Sequence, residues 1–421
     1  MSARLHSLAN GVRLAVDPQP ELETLSLSVA IRGGARWEDR ARSGWSHLLE
    51  HMVFKGAGSR SARELAEAVE DAGGSINAST GQERTSFQIR ALKGGLPLAA
   101  EITSDLVFRP RLDASELERE KGVIAQEIAE AADAPDDHVF QMAQTRAFGD
   151  TPLGRPILGT VESIGAAAPE TLGQWRARLY APEHMVVSVA GAVDEDEALR
   201  LTEQWFGDQP PSAAGDTPEP AAFAGGSAAE VRRLEQSHLV MLLPGVGVRD
   251  PDYFVFRLFA EALGGGMSSR LFQNVREQRG LAYSIDSYAE TYEDIGLLGV
   301  YAGTAGKAAA ETARVTAAEI AALAEQPSEA ELRRAKALLK SGLFMAREST
   351  LARAEQAAGQ VLLFGRVFGS HELAEAIDAV TTEDLRRVGG RLLQSGGSAA
   401  AVLGPKSAQG AADAFREALS S

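Results

Sequence analysis

The sequence predicts an α+β protein built from two similar halves. Three observations lead to this expectation. Runs that alternate with a period of two, typical of strands, are interspersed with longer amphipathic runs typical of helices. A segment rich in Pro, Gly, Ala and Ser, PPSAAGDTPEPAAFAGGSAAE at residues 210–230, divides the chain near its middle. The order of the predicted elements is similar on both sides of this segment, which indicates a duplication.

In the first half, the alternating run LSLSVAIRGG (25–34) predicts a strand. It is followed by a short helix at 43–54 and by an amphipathic helix, SARELAEAVEDAGG (61–74), which ends in a pair of glycines. SINASTGQERTSFQIRAL (75–92) predicts a hairpin, and an acid-rich helix is expected at 115–133.

The second half repeats this order. HLVMLLPGVG (238–247) predicts a strand, and two helices are expected at 252–266 and 268–280. LAYSIDSYAETYEDIGLLGVYAG (281–303) again predicts strands, and a further helix is expected at 328–349. We therefore predict an N-terminal domain over 1–209, a linker over 210–230 and a C-terminal domain of similar fold over 231–421.

Composition excludes several classes of function. The chain has 421 residues, 44% of them hydrophobic and 24% charged, which predicts a globular protein of two to four domains. Its net charge of −16 argues against sequence-independent nucleic-acid binding. With no cysteine, the chain has no disulfide, thiolate metal site or cysteine nucleophile. The first twenty residues lack the apolar core of a signal peptide, and no uncharged run approaches membrane-spanning length, so we expect a cytoplasmic protein without a membrane partner.

One short motif contains residue types that are typical of a catalytic site. GWSHLLEHMVFKG (44–56) places His47 and His51 four residues apart, so that both imidazoles share a face of the predicted helix. Glu50 also reaches this face. Two imidazoles and a carboxylate in the order H-x-x-E-H are typical of a hydrolytic zinc site. A single histidine on such a helix would more often be an ordinary core residue.

A catalytic zinc needs a third protein ligand and leaves one position for water. The acid-rich helix at 115–133 offers Glu120, Glu127 and Glu130 as candidates, and Glu120 and Glu127 are almost two turns apart on one face. Spacing alone does not choose among the three. A solvated acidic surface is the alternative interpretation of this helix.

With these motifs, the chain resembles the pitrilysin/insulinase-type metallopeptidases, in the two-domain branch that includes the mitochondrial processing peptidase and bacterial relatives. The resemblance also covers AGGSINASTGQERTSF (72–87), PLGRPILGTVESI (152–164) and SSRLFQNVREQRGLAYSI (268–285), in the expected order from about residue 10 to 400. It implies two homologous α/β-sandwich halves with mainly antiparallel sheets, arranged as a clamshell. Only the first half has the histidine pair.

The resemblance also implies the roles of individual residues. It makes His47, His51 and Glu127 the ligands of one zinc per chain and gives Glu120 a supporting role behind them. Glu50 becomes the general base. Asn77 and Ala78 fall on positions that contact the substrate backbone along an edge strand, for which a plain hairpin turn is the alternative.

Two further residues lie in the second half of the chain. The resemblance places Arg276 and Tyr283 over the substrate near the scissile bond, whereas a surface arginine and a half-buried tyrosine are the alternative. The sequence thus predicts a zinc-dependent endopeptidase acting on extended peptides or unfolded segments, and a homodimer. The main alternative is a non-catalytic clamshell that binds peptides or serves as an assembly subunit. LGGGMSSR (263–270) lacks the Lys-Ser/Thr of a phosphate loop, and we expect its glycines to end a helix.

Overall fold

The computed structural model describes residues 3–210 and 217–420. The strands within this part of the chain are β1 Arg4–Ser7, β2 Arg13–Pro18, β3 Thr24–Arg32, β4 Gly56–Ala57, β5 Arg60–Ser61, β6 Ser75–Thr80, β7 Arg84–Leu92, β8 Met185–Gly191, β9 Gly226–Val231, β10 Gln236–Gly245, β11 Ala282–Thr291, β12 Gly296–Ala305 and β13 Ala399–Gly404.

The helices are α1 Trp45–Val53, α2 Ala62–Asp71, α3 Leu96–Phe108, α4 Ala114–Asp133, α5 Pro135–Phe148, α6 Val161–Gly165, α7 Pro169–Leu179, α8 Glu195–Phe206, α9 Tyr253–Gly264, α10 Ala309–Glu325, α11 Glu329–Ala346, α12 Thr350–Phe364, α13 Ser370–Ala379, α14 Thr382–Gln394 and α15 Ala411–Leu419. Short 3₁₀ turns occur at Ala35–Trp37, Arg40–Arg42, Pro152–Gly154, Pro182–His184 and Lys406–Ala408, and a π-helical turn at Phe272–Glu277. No described helix is both long enough and apolar enough to cross a membrane.

The first compact unit contains residues 1–129, 156–218 and 343–370. Its sheet has the strand order β1-β2-β8-β3-β7-β6, in which β2 and β8 are parallel and the other neighbours antiparallel. On β3, the apolar residues of the alternating run, such as Leu27 and Val29, enter the main core. The alternate residues of β3, which point to the opposite face of the sheet, are also buried because α12 covers that face. Ala30 packs with Ala358, and Ser26 forms a hydrogen bond with Thr350 at 2.8 Å.

The second compact unit contains residues 130–155, 219–342 and 371–421. Its sheet has the order β11-β12-β10-β13-β9, with β13 and β9 parallel and the other neighbours antiparallel. Helix α5 covers one face, where Val139 and Phe148 pack with Val240 and Leu242. The remaining helices of the unit include α9, α10, α14 and α15.

The two sheets have the same topology. The order β6-β7-β3-β8-β2 in the first unit corresponds to β11-β12-β10-β13-β9 in the second, and each corresponding pair runs in the same relative direction. The α+β class, the mainly antiparallel sheets and the internal duplication predicted from the sequence are therefore confirmed. The strands β6 and β11 occupy equivalent edges of their sheets.

The compact units differ in detail from the simple halves 1–209 and 231–421. Residues 130–155 belong to the second unit and residues 343–370 to the first, because α5 and α12 cover sheets formed by the other half of the chain. The segment expected to be a linker also contains strand β9, which pairs with β13. Residues 211–216 of that segment lie outside the described residues.

Candidate metal centre

The helix that carries the histidine pair begins after Gly44, whose φ of +85° lies in the left-handed region. The carboxylate of Glu38 accepts hydrogen bonds from the backbone N–H groups of Gly44 and Ser46, each at 2.7 Å. Glu38 is only 2% exposed. A buried carboxylate at this place satisfies donors that the first turn of a helix leaves free and interacts favourably with its dipole, so it fixes where α1 begins.

One face of α1 anchors the helix in the core. Leu48, Leu49 and Met52 are fully buried, and the indole of Trp45 donates a hydrogen bond to the carbonyl of Ser163 at 2.9 Å. The two histidines project from the other face, with 14% and 20% of their side chains exposed. Their ring centroids lie 4.6 Å apart. The spacing of four residues therefore places both imidazoles on one accessible face, as predicted.

Helix α4 brings carboxylates to this face. Leu117, Glu120 and Ile124 form its buried stripe, and Glu127 follows one turn later. The Oε2 atom of Glu127 lies 3.9 Å from His47 Nε2 and 3.7 Å from His51 Nε2. Of the three glutamates that spacing left open, Glu127 is the one grouped with the histidines.

The donor set fits zinc. His47, His51 and Glu127 each present one ligand atom, and these atoms all lie within 4.8 Å of one another. Ligand atoms of a tetrahedral zinc with bonds of about 2.1 Å lie about 3.4 Å apart, close to the separations observed. The Oε2 atom of Glu127 is buried and has no hydrogen-bond partner, as expected of an oxygen that a cation would satisfy. Among the described residues, no other group has this metal-ligand geometry.

Burial, together with the smaller effect of the neighbouring His51, lowers the pKa of His47 to about 4. At neutral pH the imidazole of His47 is consequently uncharged and can offer a lone pair. The Nδ1 atom of His51 lies 3.1 Å from Oε2 of Glu120, a carboxylate that is only 4% exposed. This contact orients the ring so that Nε2 of His51 faces Glu127.

Glu50 lies on α1 between the two histidines. Burial raises the pKa of its carboxyl, and the nearby Thr80 and His51 partly oppose this effect. The Oε2 atom of Glu50 is buried without a hydrogen-bond partner. A carboxylate with a raised pKa and a free oxygen has the properties of a proton acceptor.

Asn77 and Ala78 lie on β6, at the edge of the first sheet. On its inner side this strand pairs with β7, so that Asn77 is opposite Gln88 and Ala78 opposite Phe87. The side chain of Asn77 is exposed and that of Ala78 is buried. The segment is therefore a strand of six residues, and the turn that follows it begins only after Thr80.

Arg276 and Tyr283 belong to the second unit. The guanidinium of Arg276 lies over the ring of Phe272 in the π-helical turn, 4.6 Å from its centroid. Tyr283 is 66% exposed and lies at an irregularity of the edge strand β11, between Ala282 and Ser284. The expected second helix at 268–280 is thus reduced mainly to this π-helical turn.

Two minor expectations agree with the structure. Helix α9 ends at Gly264, so the glycine run terminates a helix. The other histidines, which the sequence assigns structural or surface roles, are His6, His138, His184, His238 and His371. In the described part of the chain none of them joins a metal-binding group, and His6 and His138 contact Glu195 and Glu230 instead.

Sequence reasoning missed three residues near the site. Lys55 forms an ion pair with Glu120 at 2.8 Å, Glu38 caps α1, and the buried phenol of Tyr180 lies near Glu50 and has a raised pKa. Lys55 stands within the quoted motif and at helical spacing from His51, which is a signal that could have drawn attention to it. Glu38 and Tyr180 carry no such signal, since their burial depends on distant contacts.

The comparisons with known proteins agree with this geometry. Residues 13–161 match the family model described as insulinase (peptidase family M16), and residues 167–339 match that of the peptidase M16 inactive domain. An uncharacterized zinc protease of Bacillus subtilis is 34% identical over 386 residues, which cover 91% of this chain and 93% of that protein.

Two solved structures have a similar fold. A protease from Helicobacter pylori has a TM-score of 0.88 at 21% identity, covering 96% of this chain and 99% of that one. A chain of Complex III2 from Candida albicans has a TM-score of 0.86 at 21% identity, covering 99% of each chain. Together with the two matched domains and the identity to the bacterial relative, these findings show that the chain belongs to peptidase family M16.

Proposed function

We propose that this protein is a zinc-dependent endopeptidase that hydrolyses peptides or unfolded segments bound in extended form. One zinc per chain is held by His47, His51 and Glu127. The observation that carries the proposal is the convergence of these three donors within 4.8 Å, with Glu50 between the histidines on α1. The naming of the bacterial relative as a zinc protease supports it.

Bound zinc would polarise the scissile carbonyl and lower the pKa of a water molecule to about 7. Glu50 takes the proton of the attacking water on its free carboxylate oxygen and then delivers it to the leaving amine. Burial favours this role because the raised pKa of Glu50 makes the carboxylate a stronger base than one at the surface. The lowered pKa of His47 keeps that imidazole in the neutral form that ligation needs.

The substrate lies along β6. Among the described residues β6 is an edge strand of its sheet, so an extended peptide can pair with its backbone groups. Asn77 adds a side-chain hydrogen bond to the substrate main chain, and Ala78, whose side chain is buried, contacts the substrate backbone through its own backbone groups. The hydroxyl of Thr80, the last residue of β6, donates a hydrogen bond to the carbonyl of Ser46 at 3.4 Å, which links this strand to α1, the helix that carries the proposed base.

Further parts of the proposal rest on the family resemblance. Arg276 and Tyr283 contact the substrate, with the phenol stabilising the developing oxyanion. Because one chain carries both this pair and H-x-x-E-H, it needs no second kind of subunit, and we propose a homodimer in the cytoplasm. The high exposure of Tyr283 supports a role at a binding surface.

A second candidate is a non-catalytic subunit that binds peptides or stabilises an assembly. The similarity of the fold to a chain of Complex III2 favours it, since that chain is part of an assembly. The metal ligands His47, His51 and Glu127 favour the peptidase, because a purely structural subunit does not need them.

Cleavage of a mixed library of short peptides by the purified protein tests the proposal. We expect hydrolysis that a chelator abolishes and added zinc restores. Glu50→Gln should lower kcat by about 10²–10⁴-fold while zinc binding is retained. Glu118→Gln is the matched control, because this carboxylate on α4 is 71% exposed and pairs with Lys121 instead of the centre. A folded, zinc-loaded protein that cleaves no peptide would favour the non-catalytic subunit.

A further inference from the structure

Lys55 contacts the candidate centre indirectly, through Glu120. It lies just beyond the end of α1, four residues after His51. Its Nζ atom is 2.8 Å from Oε1 of Glu120, and the other carboxylate oxygen, Oε2, is 3.1 Å from Nδ1 of His51. Glu120 thus bridges an ammonium group and an imidazole that belong to one short stretch of chain. Both of its oxygens are occupied.

Burial makes this bridge energetically important. The side chain of Glu120 is only 6% exposed, whereas 33% of Lys55 is exposed. A buried carboxylate is strongly destabilising unless an opposite charge and hydrogen bonds compensate it. Lys55 supplies the positive charge, and the short path through Phe54 ties that charge to the end of α1. The carboxylate of Glu120 is therefore held in one orientation by Lys55 at Oε1 and by His51 at Oε2.

The orientation matters for His51. When Nδ1 of this ring donates a hydrogen bond to Glu120, the proton is fixed on Nδ1 and the lone pair is left on Nε2. Nε2 is the atom that faces Glu127, at 3.7 Å from its Oε2 atom. If the Glu120 carboxylate could rotate, the imidazole of His51 would lose its fixed orientation, and Nε2 would be less well placed to bind a metal.

We propose that Lys55 is a positioning residue for the metal centre: by holding Glu120, it fixes the tautomer and orientation of His51 and thereby raises the affinity for zinc. This inference rests on the proposed function in one respect, that His47, His51 and Glu127 bind zinc. It adds a residue that touches neither metal nor substrate and that acts through a chain of two contacts.

Zinc affinity of the purified full-length protein, measured by competition with a chromophoric chelator at neutral pH, tests the inference without reference to catalysis. We expect Lys55→Met to weaken zinc binding about tenfold, the lower end of the range for residues that support metal ligands. Lys55→Arg keeps the charge and should recover most of the affinity. Lys121→Met is the matched control, because this lysine also pairs with a glutamate of α4, Glu118, at 2.7 Å, and should leave the affinity unchanged.

A double-mutant cycle separates positioning from a general structural role. In a Glu120→Gln background there is no carboxylate for Lys55 to hold, so Lys55→Met should weaken zinc binding no further. The double variant also lacks the buried charge of Glu120, which Lys55→Met alone would leave without its ion pair. It therefore provides a folded protein even if Lys55→Met alone does not fold.

The outcomes are distinct. If the wild-type protein binds no zinc, the proposed function fails and the inference with it. If the wild type binds zinc and Lys55→Met binds it equally well, only the role of Lys55 is refuted. A tenfold loss that persists in the Glu120→Gln background would also overturn the inference, because Lys55 would then act by another route.

Discussion

Gly44 and Gly159 lie in two backbone segments that touch just before the histidine-bearing helix. Both have positive φ values, +85° and +74°. A Cβ atom at Gly159 would lie 2.7 Å from the Cα of Gly44 and would also clash with the carbonyl of Ser43. We predict that Gly159→Ala lowers the free energy of unfolding by about 2 kcal/mol or more, since it combines backbone strain with overpacking. Urea denaturation measures this loss.

An added Cβ atom at Gly159 would displace Ser43 and Gly44, which lead directly into α1. Gly159→Ala should therefore also weaken zinc binding. Gly165→Ala is the control for this variant. A Cβ atom at Gly165 would meet nothing within 4 Å, and this residue ends a helix. Its substitution should be neutral or slightly stabilising. Equal stability of the two alanine variants would contradict the close approach of the two segments.

At the same scale, the sequence predicts part of the site. The spacing of His47 and His51 is visible without a structure, and so is the helix that presents the carboxylates. The sequence does not identify the pairing of Lys55 with Glu120, since that contact joins residues far apart in the chain and depends on how α1 and α4 pack. Charge pairs of this kind follow from the tertiary structure, not from local pattern.

Helices α9 and α14 are joined by ion pairs at the start of α9. Asp252 precedes the first residue of α9 and accepts hydrogen bonds from Arg387, at 2.6 and 2.8 Å. These bonds hold the pKa of Asp252 below its ordinary value. Such a depressed pKa gives stability that is present above the unfolded pKa, about 3.8, and is lost as the pH falls through the lower folded value.

We therefore predict that Asp252→Asn lowers the free energy of unfolding by about 1 kcal/mol at pH 7, a small value because Arg387 is half exposed. The difference from wild type should shrink as the solution is acidified below the pKa of an unfolded aspartate. Denaturant titrations at several pH values measure it. A difference that did not change with pH would show that the ion pair is not its source.

The edge strand β6 gives a second prediction for a single element. A peptide that pairs with an edge strand uses backbone N–H groups at every second residue. In a cleaved peptide, N-methylation should therefore raise KM at alternate positions, by about tenfold for each hydrogen bond lost. Kinetics with a set of singly methylated peptides measures this pattern. Uniform or irregular effects would argue against extended pairing along Ser75–Thr80.

The identity of most elements follows from sequence pattern, as for β3, α2, α4 and α9. Where the pattern misleads, long-range contacts explain the difference. The run at 268–280 has a helical pattern but widens into a π-helical turn, which ends before Gly280 and the following strand. Gly226–Val231 has few large apolar residues and suggests a linker, yet pairing with β13 makes it a strand.

On the scale of the whole molecule, the sequence does not reveal that the two halves of the chain exchange helices: α5, from the first half, covers the second sheet, and α12, from the second half, covers the first sheet. Neither α5 nor α12 is among the helices predicted from the sequence, and local pattern does not say which sheet a helix covers. The alternation of serine and leucine on β3 would ordinarily suggest one face open to water. That face is buried because α12, from the distant end of the chain, lies on it. Small residues at Ser26 and Ala30 allow this close packing.

This exchange leads to a prediction about chain cleavage. A polypeptide of residues 1–209 includes α5 but lacks α12, so residues of the first sheet such as Ala15, Ala30 and Val186 lose their cover. Exposing this surface costs on the order of 5 kcal/mol, comparable to the stability of a domain. We expect residues 1–209 alone to be unfolded or aggregated. Circular dichroism and size-exclusion chromatography measure this directly.

Residues 217–421 have the complementary defect, because they contain α12 but lack α5, whose Val139 and Phe148 cover the second sheet. Co-expression of the two pieces should therefore give a soluble complex that binds zinc, since each piece supplies the helix that the other lacks. A full-length chain cut enzymatically between residues 209 and 217 should likewise remain in one complex until urea is added. If residues 1–209 folded alone to a stable monomer, α12 would contribute little to the first unit and the exchange would be incidental.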